Sequence, residues 1–200
     1  STSSGFVTLG SQHLIFDNGT TAFSRSVFSG TVSGTGASVF EKTGLGTFIF
    51  KGMGTLGTTT IDQGIFLMSS ILSSAFRVQS GGVLAGTGQI NGAVTVQNGG
   101  IIKPGNLVGT LHIAGSLHLA GSSNTLIALR PETSSHSSSA SLIDVQGTAN
   151  LGGNLLLFAS PGFYPDNSAY TILQATPVLG TFGSAAYAPG SHNLGAINVL

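Results

Sequence analysis

Residues 81–120 of this chain match themselves at a shift of 23. Ile90-Asn91-Gly92-Ala93-Val94-Thr95-Val96 falls on Ile113-Ala114-Gly115-Ser116-Leu117-His118-Leu119. Apolar residues meet apolar residues at 90/113, 94/117 and 96/119, and glycine meets glycine at 92/115. A unit this short, apolar on one side only, cannot enclose its own apolar face and needs a copy above and below. The self-match therefore predicts an all-β chain coiled as a β-solenoid. Three strands of about five residues with three short turns account for roughly one such unit. Successive coils would lie ~4.8 Å apart and place Ile, Val and Leu in inward columns. Each buried aliphatic side chain then contributes about 1.5–3 kcal/mol, and glycines supply positive φ at the corners.

Helices are not expected. Glycine, 31 of 200 residues, interrupts nearly every window of ten, at about 1 kcal/mol each inside a helix. Short β-branched and aromatic runs bounded by Gly, Ser or Asn predict strands instead. These lie at 6–9, 13–16, 21–28, 38–42, 47–51, 58–61, 64–67 and 76–78. They continue at 83–85, 89–90, 93–96, 101–103, 110–113, 117–119 and 124–129, then at 142–145, 149–151, 155–158, 170–173 and 197–200. Alternation places Phe48 and Phe50 on one face and Ile49 on the other. Residues 67–75 (LMSSILSSA) fit no repeat unit. Residues 131–140 (PETSSHSSSA) have no apolar side chain before the final alanine and predict a solvated loop leaving the stack. Pro161–Ser168 is a second turn-rich excursion. The chain reads as one unit, with N-terminal coils over 1–81 and C-terminal coils over 82–200.

Charge narrows the function classes. Six basic residues balance six acidic ones, so the electrostatic basis for binding nucleic acid or an anionic membrane is missing and no nucleic-acid partner is expected. Hydrophobic residues at 40% with zero net charge are the reverse of a disordered composition. With no cysteine there is no disulfide framework, Cys-based zinc site or thiol nucleophile. No apolar run reaches the roughly 20 residues of a membrane-spanning helix. The opening residues do not read as a signal peptide, and a first residue other than methionine reads as a piece of a longer protein.

Several stretches resemble a known family. Glu41-Lys42-Thr43-Gly44-Leu45-Gly46-Thr47-Phe48-Ile49-Phe50-Lys51-Gly52, preceded by Ser33-Gly34-Thr35-Gly36 and followed by Thr58-Thr59-Thr60-Ile61-Asp62-Gln63-Gly64, resembles the autotransporter-associated β-strand repeat over 30–67. Leu84-Ala85-Gly86-Thr87-Gly88, Asn91-Gly92, Lys103-Pro104-Gly105-Asn106 and Gly109-Thr110-Leu111 resemble the C-terminal end of autotransporter passengers, including its autochaperone region. So do Asp144-Val145-Gln146-Gly147, Leu151-Gly152-Gly153, Tyr170-Thr171-Ile172-Leu173 and Gly180-Thr181-Phe182. The resemblance implies a right-handed parallel β-helix. It further implies a bacterial surface or secreted protein exported by type V secretion, whose partner is its own outer-membrane β-barrel. Absence of cysteine suits a chain that crosses the outer membrane unfolded. The expected function is a non-catalytic stem that folds first and templates the remaining coils. An adhesin or self-association surface is the alternative.

Reactive constellations are sparse. Gly52-Met53-Gly54-Thr55-Leu56-Gly57 matches a dinucleotide fingerprint in letters, but a strand pattern follows where a helix is required. The acids Asp17, Glu41, Asp62, Glu132, Asp144 and Asp166 are scattered singly. A polysaccharide-cleaving site needs two carboxylates about 5–10 Å apart, and Asp62, Asp144 and Glu132 are the residues to test for it. His13, His112, His118, His136 and His192 read as surface positions. The loop around His136 is too polar and unsupported to hold a triad. Asn18-Gly19-Thr20 fits a glycosylation sequon, although Asn-Gly is first a hairpin signal. Phe48, Phe50, Phe66, Phe76 and Phe158 read as core rather than as a carbohydrate platform. No catalytic, cofactor or metal residue is assigned.

Overall fold

The computed structural model describes residues 2–135, 137, 139–166, 168–191 and 194. The strand expected at 197–200, together with His136 and His192, lies outside the described residues. Within them the protein is all-β, without helix, and its strands pair in parallel except for one short antiparallel return.

The strands fall into three ladders. The first runs Thr2–Ser3, Arg25–Phe28, Thr47–Phe50, Gly64–Met68, Gly82–Gly86, Ile101–Pro104, Asn124–Arg130, Asn154–Ala159 and Ser184–Tyr187. The second takes Phe6–Gly10, Thr31–Gly34, the leading halves of Met53–Ile61 and Ile71–Val78, then Gln89–Ile90, Thr110–Ile113, Leu142–Val145 and Leu173–Gln174. The third takes His13–Asp17, Val39–Thr43, the trailing halves of the same two long strands, then Val94–Val96, Leu117–Leu119, Ala149–Leu151 and Val178–Gly180. The chain visits first, second and third ladder in turn and returns to the first beside the strand it left. Parallel neighbours cannot be joined by a tight hairpin; here the other two ladders form the crossover.

The 23-residue self-match is realised as strand pairing. Ile90 is the register partner of Ile113, Val94 of Leu117 and Val96 of Leu119. Circuit length is nevertheless variable. It is 18 residues from Thr47 to Ile65, 23 from Ile101 to Asn124 and 30 from Asn124 to Asn154. The circuit from Val83 to Ile101 takes 18 residues with two separate short strands, whereas those from Thr47 to Ile65 and from Gly64 to Gly82 run the second and third ladders as one unbroken strand. That accounts for residues 67–75: Leu67 and Met68 end one strand, Ser69 and Ser70 turn the corner, and the rest opens the long strand Ile71–Val78.

Inward residues of the three ladders form one cluster. Phe48, Phe66, Leu84 and Ile102 stack in the first ladder, facing the third-ladder column Phe76, Val94, Leu117 and Ala149. Phenyl rings fill the early circuits, with Phe48 and Phe66 centroids 5.2 Å apart and Phe66 edge-on to Phe76 at 5.5 Å. Phe158, by contrast, is only half-buried. Ile49 faces away from Phe48 and Phe50 as alternation requires, yet it is buried too, outside that cluster. Thr59 and Ser74 pair in the interior through a 2.9 Å hydroxyl contact, whereas Thr125 Oγ1 is buried without a hydrogen-bond partner. A smaller cluster of Ile127, Leu129, Leu155, Leu157 and Ala159 is covered by Tyr164, Tyr170, Ile172 and Phe182 from the Pro161–Ser168 excursion and beyond.

Four expectations need correction. The strand expected at 21–28 begins only at Arg25, because Thr21 and Ser24 close a turn through Ser24 N–H to Thr21 O. The one expected at 170–173 is confined to Leu173–Gln174. Asn18-Gly19 makes no hairpin, since the flanking strands pair with different parallel neighbours. The 131–140 loop does not simply leave the sheet: Ser139–Ala140 folds back antiparallel on Leu129 and Arg130, and Glu132 bridges Phe163.

The matched glycines act through close approach. Gly92, Gly115 and Gly147 lie over one another at a corner, and none has positive φ. A Cβ on Gly115 would stand 2.5 Å from the Gly92 carbonyl, and one on Gly147 would stand 2.8 Å from the Gly115 oxygen. Positive φ is used at a different corner, by Gly44, Gly64, Gly81 and Gly99. Gly115→Ala is accordingly expected to push two circuits apart and cost about 1–3 kcal/mol, read as a lower urea midpoint; an unchanged midpoint would refute the close-approach account.

Candidate functional site

The third ladder carries the most unusual side chain of the interior. Lys42 follows Phe16 and precedes Ile61 and Val78 in an otherwise apolar inward column, and its exposure is 0%. A buried ammonium is tolerated only when its donors are satisfied, and it has three N–H groups. Lys42 Nζ donates to the carbonyls of Thr43 at 2.8 Å, Gly44 at 2.6 Å and Gln63 at 2.8 Å. The first two belong to its own corner and the third to the next circuit. The side chain thus fastens one corner to the one stacked on it. Desolvation lowers the Lys42 pKa to about 8, against the opposing attraction of Asp17.

Outward from Lys42 the same strands hold a titratable group. His13 Nε2 lies 2.7 Å from Glu41 Oε2, the two being 49% and 21% exposed. Asp62 follows at the end of the neighbouring strand, its N–H donating to Lys42 O, and its pKa is raised by burial first and by the nearby Glu41 second. A second pair sits on the outer face of the second ladder, where His112 Nδ1 meets Asp144 Oδ2 at 2.9 Å. The bonded Nδ1 leaves Nε2 pointing to solvent, but no nucleophile or enclosing cleft adjoins it among the described residues.

The sequence candidates are therefore distributed as follows. Asp62 lies at the end of the strand next to that of Glu41, not beside Asp144 or Glu132. Asp144 lies beside His112, about four circuits further along, roughly 19 Å at the usual strand spacing. Glu132 is held in the return loop by its backbone N–H to Phe163 O. Asp166 is exposed, and Asp17 accepts from Gly19 N–H at 3.0 Å. His118 is exposed on the third ladder, on a different face from His112. The glycine-rich 52–57 stretch runs into the strand Met53–Ile61, so no helix N-terminus is there to receive a phosphate. Asn18 is buried, with Oδ1 accepting from Ser26 Oγ, which closes the sequon to a glycan in the folded chain. Among the described residues no group of His, Asp and Glu is arranged to hold a metal ion.

Beside the first circuit an apolar cavity of about 200 Å³ is lined chiefly by Val7, Leu14, Phe16, Phe28 and Phe40. In the sequence Lys42 is legible only as part of the 41–52 motif. Strand alternation signals that Lys42 shares a face with Phe40, but its neighbours across circuits depend on register. No known protein family matches the chain, and no curated protein is similar enough to serve as a relative.

Replacing Lys42 by Met keeps the packing but leaves three carbonyls without their donor, an expected loss of about 1–3 kcal/mol. In the wild type the unfolded chain holds the Lys42 proton up to about pH 10.5 and the folded chain only to about 8. Stability should therefore rise with pH across that window. Denaturant titrations from pH 7.5 to 10.5 should show the rise in the wild type and none in K42M.

Proposed function

We propose that the chain is a right-handed parallel β-helix serving as the non-catalytic stem of a surface-displayed bacterial autotransporter passenger, which folds outside the outer membrane and templates the rest. The observation that carries this reading is the cyclic order of the three parallel ladders around one apolar interior. Each completed circuit offers a full set of parallel edges to the next, so growth by addition needs no rearrangement of what is already folded. The Lys42-Thr43-Gly44 and Gly-rich motifs that resemble the family fall at corners of those circuits, which supports the same reading. The partner is then the chain's own outer-membrane β-barrel, and the place of action the cell surface.

Display tests it directly. With the chain fused ahead of an outer-membrane barrel, Leu117→Asp places a charge in the central column and Ile172→Asp one against the second cluster. Both are expected to abolish surface display, detected by antibody on intact cells; normal display of both would rule the stem role out.

A second reading, an adhesive or self-associating surface, is favoured by the outer face of the first ladder. There Ile65, Val83 and Ile101 form a half-buried apolar column with Leu67 beside it, bounded in register by Arg25 and Lys103. If that face pairs copies side by side, sedimentation at rising concentration should reveal a dimer that Val83→Lys dissolves. A chain that stays monomeric throughout would leave the stem as the better reading.

A further inference from the structure

The inward columns of the first ladder are not filled all the way to the first circuit. One runs back through Leu84, Phe66 and Phe48 to Ser26; its neighbour runs back through Met68, Phe50 and Phe28 to Ser3. A serine thus ends each column where a further ring would continue it. The space left there is the apolar cavity of about 200 Å³. Phe48, Phe50 and Phe66 form its buried floor, while Val7, Leu14 and Phe28 are only half-buried, on the side open to solvent. Apart from the two serines every lining residue is apolar and none is charged. The Ser26 hydroxyl is engaged elsewhere, donating to Asn18 Oδ1 at 3.0 Å.

The chemistry of these walls selects the occupant. A polar ligand would give up hydrogen bonds to water and find hardly any in return, and an ion would meet no counter-charge. Apolar cavities of roughly 150 Å³ lined by Leu, Ile and Phe take up a benzene ring, so this one accepts a ring with a small substituent. Its phenyl groups already lie as rings prefer. Phe28 stacks on Phe50 at 5.9 Å and Phe16 on Phe40 at 6.4 Å, and Phe16 tilts against Phe48 at 4.7 Å. One more ring extends these arrays by an offset or edge contact, whereas a saturated ring of the same size gains burial alone. We propose that this end of the interior is a binding site for a neutral, single-ring aromatic molecule of the toluene class, which takes the place of the rings that Ser3 and Ser26 omit. The site lies inside the coil, apart from both the strand edges of the stem reading and the outer face of the adhesive one, and depends on neither.

Toluene titrated into the folded chain and followed by methyl NMR tests the assignment. The methyls of Leu14, Val32 and Leu72, which line the cavity, should shift saturably in the ring current of one bound molecule, while those of Leu117 and Ile143, several circuits away, should not move. Methylcyclohexane, similar in size but without a π face, should bind several-fold more weakly. Ser3→Phe and Val7→Phe each introduce a ring from the open side, and each should abolish toluene binding while the Leu117 and Ile143 methyls keep their folded positions. Absence of a saturable shift in the wild type, equal affinity for methylcyclohexane, shifts that extend to Leu117 and Ile143, or toluene binding retained in both folded variants would each overturn the proposal.

Discussion

Parallel pairing of each circuit with the next is the constraint from which the rest follows. Such pairs demand a long crossover, and this chain makes the crossover out of two further ladders. No strand is then stabilised by a neighbour close in sequence, apart from the small return at Ser139–Ala140. Columns such as Ile90 over Ile113 align only when backbone hydrogen bonds fix the register, and a slip of one residue would turn the apolar set outward. Burial and pairing therefore depend on each other.

Glycine and lysine set the spacing at the corners. Gly92, Gly115 and Gly147 let backbone approach backbone where any side chain would hold circuits apart. Lys42 does the opposite work with a long side chain, reaching back from the interior to collect carbonyls of two successive corners. Burying that ammonium opposes folding, as its pKa lowered to about 8 records. Three donated hydrogen bonds are what make it tolerable. The few other charges lie on outer faces, where His13 with Glu41 and His112 with Asp144 join neighbouring circuits rather than lining a cleft.

Much of the architecture was legible because two signals are local. Alternation located strands such as Thr110–Ile113 and Leu142–Val145 to the residue, and the self-match named the partners of Ile90, Val94 and Val96. Strands with weak local patterns escaped. Thr31–Gly34, Val178–Gly180 and Ser184–Tyr187 are short and rich in small residues, and are strands because a neighbouring edge recruits them. The true neighbour of Glu41 escaped for another reason: circuits there are shorter than 23 residues, so a shift taken from the later repeat pairs Glu41 with Gly64 instead of Thr60.

By itself, then, the sequence determined an all-β chain, its inward and outward positions, and one true register, since side-chain alternation and a short repeat are properties of neighbouring residues. Only the tertiary structure decided how many residues each circuit takes, which glycines are needed for contact rather than for φ, and that Lys42 is buried while His13 meets Glu41. Those outcomes depend on which residue lies one circuit away, and that distance is set by where corners fall, a balance struck among all three ladders together.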